Sequence, residues 1–184
     1  MGAYTALLDW MIQNGGHLHE GVQIAHDERR GVHLQVKKDW EANVPRDTCI
    51  IKTPVAATMS YFNAIDKRLS DESAGGDGLF SAHGLVFPRS FVDAIGPEET
   101  TVFFLMGQYL QEAESFWHPW IQTLPQPGSL TTPLYYEGED LKWLEGTSLL
   151  PAREQKMEIL REKFDGCHQQ LRNAGFGETE RYTW

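Results

Sequence analysis

The chain has 184 residues, a length that favours one domain, with at most a helical sub-lobe. Its formal net charge is −10, which argues against nucleic acid as a direct partner because an acidic surface repels phosphate backbones. Such a surface would attract basic proteins, although a solvated, soluble surface is the simpler explanation of the charge. The longest purely apolar run, residues 102–106, is far too short to cross a bilayer, so no membrane partner is expected.

The cysteines give an indication of the cellular compartment. Cys49 and Cys167 are the only cysteines, and they form neither a Cys-x-x-Cys pair nor a disulfide framework. The first residues show no basic segment followed by an apolar run, so we expect no signal peptide. The sequence therefore predicts an intracellular protein, either cytoplasmic or nuclear.

The N-terminal part is predicted to be a short helix followed by short strands. Residues 4–13 carry one apolar helical stripe, and glycines at positions 15 and 16 end the helix. From residue 18 to residue 36 apolar and polar residues alternate, which predicts two strands around a turn at residues 27–31. A third strand is expected at residues 49–51, ended by Pro54 because proline cannot continue a ladder. The stripe of the helix is Leu7, Leu8, Met11 and Ile12.

The second part of the chain is predicted to be helical. Proline or acidic residues stand at several of the expected helix starts, and Gly175 is expected to cap the last helix. Helices are expected at residues 88–95, from residue 97 onward, and at residues 116–123, 139–145 and 151–173. Two apolar stripes are expected to pack, namely Val102, Leu105, Met106, Tyr109 and Leu110, and Met157, Leu160, Phe164, Cys167 and Leu171.

Strands that precede helices indicate an α+β fold rather than a parallel α/β sheet. We divide the chain into residues 1–69, which hold the strands and the leading helix, residues 70–86, and residues 87–184, which form the helical region. Residues 70–86 include an acidic, glycine-rich segment with little to bury, which predicts a flexible surface loop.

In one stretch of the helical region, the order of the residues is more informative than their composition. Residues 115–125 read S-F-W-H-P-W-I-Q-T-L-P, and T-P-L at 132–134 and D-L-K-W-L-E-G-T at 140–147 follow. This order resembles the helical insert of SET-domain protein methyltransferases, in the branch similar to the Rubisco large-subunit methyltransferase. The resemblance implies a small antiparallel SET core split by a helical insert. It also implies methyl transfer from S-adenosylmethionine to a side-chain nitrogen of a protein, with lysine expected and histidine left open because some relatives methylate it.

The residues that carry this chemistry in the family are not found here. The family binds the cofactor through an Asn-His pair late in the chain, and a tyrosine there lines the lysine channel. Asparagine occurs at positions 14, 43, 63 and 173, and histidine follows none of them. Residues 180–184, E-R-Y-T-W, resemble the beginning of a family helix that runs on. We therefore expect an incomplete SET domain with no catalytic residue and no activity of its own.

The turn at residues 27–31, D-E-R-R-G, is the candidate cofactor site. It resembles the family hairpin whose glycines let the backbone approach S-adenosylmethionine closely. The resemblance implies that Glu28 and Arg30 contact the cofactor and that Gly31 makes the close turn, as one part of a site. Arg29 stands where the family usually has glycine. An ordinary charged hairpin turn is the alternative interpretation.

The histidines do not predict a metal site. His17, His19 and His26 lie near acidic residues, but no second ligand pair of fixed spacing follows them. Surface or turn histidines are the simpler interpretation. His118, beside Pro119, is expected to make a hydrogen bond at a helix start rather than to act as a base.

The tryptophans of the helical region admit two interpretations. Trp117, Trp120 and Trp143 could form an aromatic cage, but aromatic residues at helical spacing more often belong to a core. We therefore expect packing roles for Phe116, Trp120, Ile121 and Leu124.

Three hypotheses for function follow. The first is the N-terminal part of a protein-lysine methyltransferase, inactive alone and holding only part of the S-adenosylmethionine site. The second is a non-catalytic helical module, derived from the same family, that binds proteins. The third is an unrelated helical metal protein, which elemental analysis would test.

Overall fold

The computed structural model describes residues 2–66 and 80–184. It contains α-helices and short antiparallel strands, which confirms the expected mixture of α and β structure. The helices are α1 (Gly2–Gln13), α2 (Tyr61–Ala64), α3 (Arg89–Ile95), α4 (Pro97–Leu110), α5 (His118–Ile121) and α6 (Leu149–Asn173). The strands are β1 (His17–Leu18), β2 (Val22–Asp27), β3 (Gly31–Val36) and β4 (Ile51–Lys52).

The strands form two small antiparallel pairs. β2 and β3 make the predicted hairpin, with a register that runs from Val22 opposite Val36 to Asp27 opposite Gly31. β1 pairs with β4, so the third predicted strand exists but lies at Ile51–Lys52 rather than at residues 49–51. Pro54 follows it at the start of a short 3-10 turn, Val55–Ala57, as a residue without an N–H donor should.

One face of the hairpin is apolar, and its β3 residues are exposed. Val32, Leu34 and Val36 retain 38%, 42% and 53% of their accessible surface. Ile24 lies directly opposite Leu34 and therefore on the same side of the hairpin. We call Ile24, Val32, Leu34 and Val36 the hairpin face. Alternation predicted the strands correctly. Val22, which lies opposite Val36 on the same side, is 5% exposed, so the uncovered part of this face is the one that β3 carries.

The main core lies among the helices. Phe91, Phe104 and Leu171 are fully buried, and each such side chain contributes about 1.5–3 kcal/mol of burial free energy. Chain segments on both sides of the undescribed residues 67–79 supply this core. The core residues are Ala64, Ala82, Leu85, Phe87, Phe91, Val92, Phe103, Phe104, Trp117, Ile121, Cys167, Leu171 and Tyr182.

The predicted stripe of α1 is wrong in one respect. Met11 is buried, as expected, but Ile12 is 47% exposed. Trp10 packs on the core instead, with its ring edge-on to Phe116 at 5.2 Å between centroids. The reason is tertiary, because α1 lies against α5 and the aromatic residues beside α5 select the face that is buried.

The predicted stripe of α4 is also displaced. Its buried face carries Phe103, Phe104 and Gln108 together with Thr100 and Gly107. Val102 and Tyr109, which the sequence placed in the core, are 53% and 42% exposed. Apolar residues occupy most of the helix circumference, so the pattern alone could not show that a polar Thr-Gly-Gln series lies inside.

The seam and the end of α6 agree with expectation. Cys167 and Leu171 are buried, and Phe164 packs against the core. Gly175 has a φ of +73°, its N–H bonds to the carbonyl of Arg172, and the Phe176 N–H bonds to that of Leu171. This double closure is a Schellman motif, which explains why a glycine ends the helix.

The aromatic segment is less regular than predicted. Helix α5 covers only His118–Ile121, and residues 138–144 form a 3-10 helix rather than an α-helix. Ile121 is buried, whereas Phe116, Trp120 and Leu124 are partly buried. The most buried aromatic of the segment is Trp117, which is 1% exposed.

Residues 70–79 of the predicted loop lie outside the described residues, so the division into residues 1–69, 70–86 and 87–184 stays a prediction. Within the described ranges, no helix is both long and apolar enough to span a bilayer.

Candidate functional site

The turn between β2 and β3 is built around the carboxylate of Asp27. Its Oδ1 accepts hydrogen bonds from the backbone N–H groups of Arg29, at 3.0 Å, and Arg30, at 2.6 Å. Gly31 has a φ of +64°, a left-handed conformation that glycine adopts without steric cost. An aspartate that caps the turn and a glycine that closes it explain why the local sequence folds into a tight hairpin.

Arg30 folds back onto the same carboxylate. Its Nε lies 2.6 Å and its Nη2 2.5 Å from Oδ2 of Asp27. The hydrogen bond from the Arg30 side chain is the largest cause that holds the pKa of Asp27 below its ordinary value. Because both side chains are exposed to solvent, the pair orients the turn more than it stabilises the protein.

The turn brings the three predicted cofactor residues together. Glu28, Arg30 and Gly31 occupy one end of the hairpin, and residues 27–30 line a shallow concave surface there. A β-carbon on Gly31 would meet no atom within 4 Å, so the space beside this glycine is open. The assignment of these residues to cofactor binding stays a prediction.

The turn does not fit S-adenosylmethionine as a finished site. The N–H groups of Arg29 and Arg30 already donate to Asp27, and the Gly31 carbonyl lies 2.9 Å from Nδ1 of His33. These polar backbone groups are therefore used inside the hairpin, although there is room beside Gly31. At most the turn supplies one side of a binding site.

A second concave surface lies between α4 and α6. This groove has a volume of about 290 Å³ and is mainly apolar. Its lining includes Val102, Phe103, Met106, Phe164, Cys167 and Trp184.

A single ion pair joins the two helices at the groove. Lys163 Nζ lies 2.9 Å from Oε1 of Glu99, and this hydrogen bond is the main cause that raises the pKa of Lys163 and lowers that of Glu99. Burial raises the pKa of the Cys167 thiol, so the thiol is not an activated nucleophile.

The three histidines singled out in the sequence do not converge. His17 lies in β1 and is exposed, and β1 ends before His19. His19 accepts a hydrogen bond from the Gly21 N–H at 3.0 Å, and its ring lies edge-on to Trp40. Among the described residues, no group of three histidine, cysteine or acidic side chains could hold a metal ion.

The remaining aromatic and histidine predictions have mixed outcomes. His118 begins α5, and its Nδ1 lies 2.9 Å from the carbonyl of Glu112, which confirms a hydrogen-bonding role at a helix start. Trp117 belongs to the core, although it was not among the residues expected to pack. Trp143 does not, because it is 80% exposed. The three tryptophans therefore do not form a common cage.

Sequence reasoning missed the groove and the hairpin face as surfaces. The sequence did contain a signal for the groove, since α4 carries more apolar residues than one packed face needs. An excess of this kind indicates a second apolar contact, but it does not say which face is exposed.

The class of protein that this chain resembles is the protein methyltransferases. It is similar to the actin-histidine N-methyltransferase of Gallus gallus, with 26% identity over 152 residues, or 80% of this chain and 21% of the relative. The enzymes of that name from Dasypus novemcinctus, 25% identical over 152 residues, and Callithrix jacchus, 26% identical over 149 residues, give similar matches. No protein-family model matches, and no solved structure matches significantly.

These relatives support a general relationship to protein methyltransferases. The chain spans about a fifth of the length of the curated relatives it matches, with shares of 21%, 21% and 20%. The activity, substrate and partners of the whole relatives therefore enter below only as proposals.

Proposed function

We propose that these residues form the N-terminal part, with the helical insert, of a SET-domain protein methyltransferase that uses S-adenosylmethionine. The observation that supports this most directly is the similarity to methyltransferases over 152 residues. The order of motifs at residues 115–125, 132–134 and 140–147 supports the assignment of a SET-type helical insert. The Rubisco-like branch and an intracellular location, cytoplasmic or nuclear, belong to the same proposal.

We infer that the 184 residues supply one wall of the methyl-donor cleft and are inactive alone. The exposed apolar residues that β3 contributes to the hairpin face support this inference, because a further part of the protein would cover them. Asp27 already uses the backbone donors of the turn, so most polar contacts to the cofactor would have to come from that further part.

The nitrogen that receives the methyl group is part of the proposal. The SET-type resemblance implies lysine. The names of the relatives, which are actin-histidine N-methyltransferases, favour histidine as the second candidate. Either nitrogen must be unprotonated to attack the sulfonium methyl group, and this requirement is stricter for lysine because its ordinary pKa is about 10.4 against about 6.5 for histidine.

Transfer assays on the full translation product of the gene that encodes these residues would test the activity. Incubation with methyl-labelled S-adenosylmethionine and with actin or a basic protein should label the protein, and amino-acid analysis should yield methylhistidine or methyllysine. Label in neither protein would contradict the proposal. The 184-residue chain, assayed in parallel, should transfer nothing, and turnover by it would overturn the one-wall inference.

A binding experiment tests the partial site directly. Calorimetry on the 184-residue chain should give no heat with micromolar S-adenosylmethionine, whereas tight stoichiometric binding would contradict the inference. At millimolar concentration, amide resonances should shift only at residues 27–31. Arg29→Gly restores the glycine of the family pattern and should enlarge those shifts, while Arg46→Gly, in another exposed turn, should not.

The non-catalytic interaction module remains the second candidate, because the hairpin face is exposed and the chain is acidic. The two candidates differ in one measurable respect. A module of this kind should bind a partner protein without labelling it, and S-adenosylmethionine should not change its affinity.

A further inference from the structure

A third concave surface lies in the segment before α6, apart from both the hairpin and the groove. It has a volume of about 720 Å³. Its lining includes Leu130, Tyr135, Tyr136, Glu137, Asp140 and Trp143. We call this surface the aromatic-acidic cradle.

The aromatic rings of the cradle are unusually exposed. Trp143 is 80% exposed and Tyr135 is 50% exposed, and neither has an aromatic or cationic partner in the part of the chain that the structure describes. The other tryptophan that is at least half exposed, Trp184, behaves differently. The guanidinium carbon of Arg161 lies 5.3 Å from the centroid of its ring. A cation therefore already covers the π surface of Trp184, whereas the π surface of Trp143 is free.

The carboxylates of the cradle are also free. Glu137 and Asp140 are exposed, and within residues 2–66 and 80–184 neither takes part in an ion pair. The neighbouring Glu139 differs, since it is 2.6 Å from Lys142 Nζ. The cradle thus combines two unneutralised acidic groups with exposed ring faces, in a chain of net charge −10.

The arginine that reaches this segment from α6 is used elsewhere. Arg153 of α6 donates from Nε to the Pro133 carbonyl at 3.1 Å and from Nη2 to the Tyr136 carbonyl at 2.9 Å. Its guanidinium holds the backbone of the segment to α6. Leu144, 3% exposed, anchors the other end of the segment. The cradle is therefore held from both ends, which lowers the entropic cost of binding.

We propose that the cradle docks a lysine- or arginine-bearing segment of a partner protein. An ammonium or guanidinium group would lie against the Trp143 and Tyr135 rings and face the carboxylates of Glu137 and Asp140. Charge complementarity selects this occupant, because an anionic or purely apolar segment would leave both carboxylates unpaired. The volume exceeds that of one side chain, so flanking residues of an extended peptide also fit. This proposal does not rest on methyl transfer.

Binding is tested with a short blocked peptide of alternating lysine and glycine, and with the same peptide acetylated on every lysine. The readout is the indole N–H resonance of Trp143 together with the amides of residues 128–143 in the 184-residue chain. The lysine peptide should shift these resonances, and raising the salt concentration should weaken binding. Acetylation removes the charge and should lower the affinity about tenfold or more.

Matched variants locate the site. The single variant Trp143→Ala should weaken binding about tenfold. The double variant Glu137→Gln/Asp140→Asn should have an effect of similar size. Trp184→Ala removes another exposed tryptophan, and Glu41→Gln removes an exposed charge near the strands, so both should bind like the parent chain. The proposal is overturned if the lysine peptide does not bind, if the acetylated peptide binds equally well, or if the cradle variants match the controls.

Discussion

The indole Nε1 of Trp117 donates a 3.1 Å hydrogen bond to the backbone carbonyl of Ala57, sixty residues earlier in the chain. The ring is 1% exposed and lies edge-on to Phe104 and Phe116. One buried side chain therefore joins the strand-bearing part of the protein to its helical part, through both a polar and an apolar contact.

Trp117→Phe should lower the free energy of unfolding by about 2–3 kcal/mol, because it leaves a buried carbonyl without a donor and a space beside it. Urea denaturation followed by circular dichroism measures the change. Trp143→Phe is the matched control and should stay within about 0.5 kcal/mol, since Trp143 is exposed. Equal effects of the two substitutions would show that Trp117 is not the buried tryptophan of this fold.

Two glycines within helices should respond to the same substitution with opposite signs. A β-carbon on Gly107 of α4 would lie 2.4 Å from Cδ2 of Leu85 and 2.5 Å from the hydroxyl of Tyr182, and both side chains are buried. A β-carbon on Gly166 of α6 would meet nothing within 4 Å. Gly166→Ala should therefore stabilise the protein by up to about 1 kcal/mol through helix propensity.

Gly107→Ala gains the same propensity but overpacks the core, which typically costs about 1–3 kcal/mol, so its net effect should be destabilising. Thermal and urea unfolding of both variants measure the difference. Stabilisation by Gly107→Ala would mean that Leu85 and Tyr182 can move aside, contrary to the close packing described.

Tyr182 should make the protein lose stability at alkaline pH. Burial raises its pKa from 10.0 to about 12. The folded state thus keeps the proton longer than the unfolded state, so the stabilising contribution is complete below pH 10 and is lost as the pH rises from 10 towards 12. Urea midpoints measured between pH 8 and pH 11 should fall more steeply for the parent chain than for Tyr182→Phe.

The Cys167 thiol, whose pKa burial also raises, titrates in the same alkaline direction and remains in both proteins. The difference between the two pH profiles therefore isolates the phenol. Parallel profiles would show that the hydroxyl is as accessible in the folded chain as in the unfolded chain.

Arg153→Lys should loosen the segment that carries the cradle. Lysine keeps the charge but cannot reproduce the two directed hydrogen bonds to Pro133 and Tyr136. We expect a loss of about 1–2 kcal/mol in unfolding free energy and faster amide exchange at residues 133–144. Arg172→Lys, at an exposed position of the same helix, should change neither. Unchanged exchange in Arg153→Lys would show that the clamp does not order the segment.

The sequence predicted correctly those structural elements that are determined by residues close together in the chain. The hairpin follows from strict alternation and from an aspartate and a glycine at the ends of its turn, Asp27 and Gly31. The end of α6 follows from Gly175, because a left-handed residue is needed there. For the same reason the turn that groups Glu28, Arg30 and Gly31 was predicted, whereas its role in binding a cofactor was implied only by resemblance.

The sequence by itself determined the order of strands and helices, the acidic surface and the motif order that points to a methyltransferase. Only the tertiary structure decided which apolar residues are covered. Ile12 and Val102 are exposed while Gln108 is buried, and Trp117 is buried while Trp143 is exposed. The physical reason is that periodicity fixes which residues share a face, whereas burial depends on which other element lies against that face, and this partner is distant in the sequence.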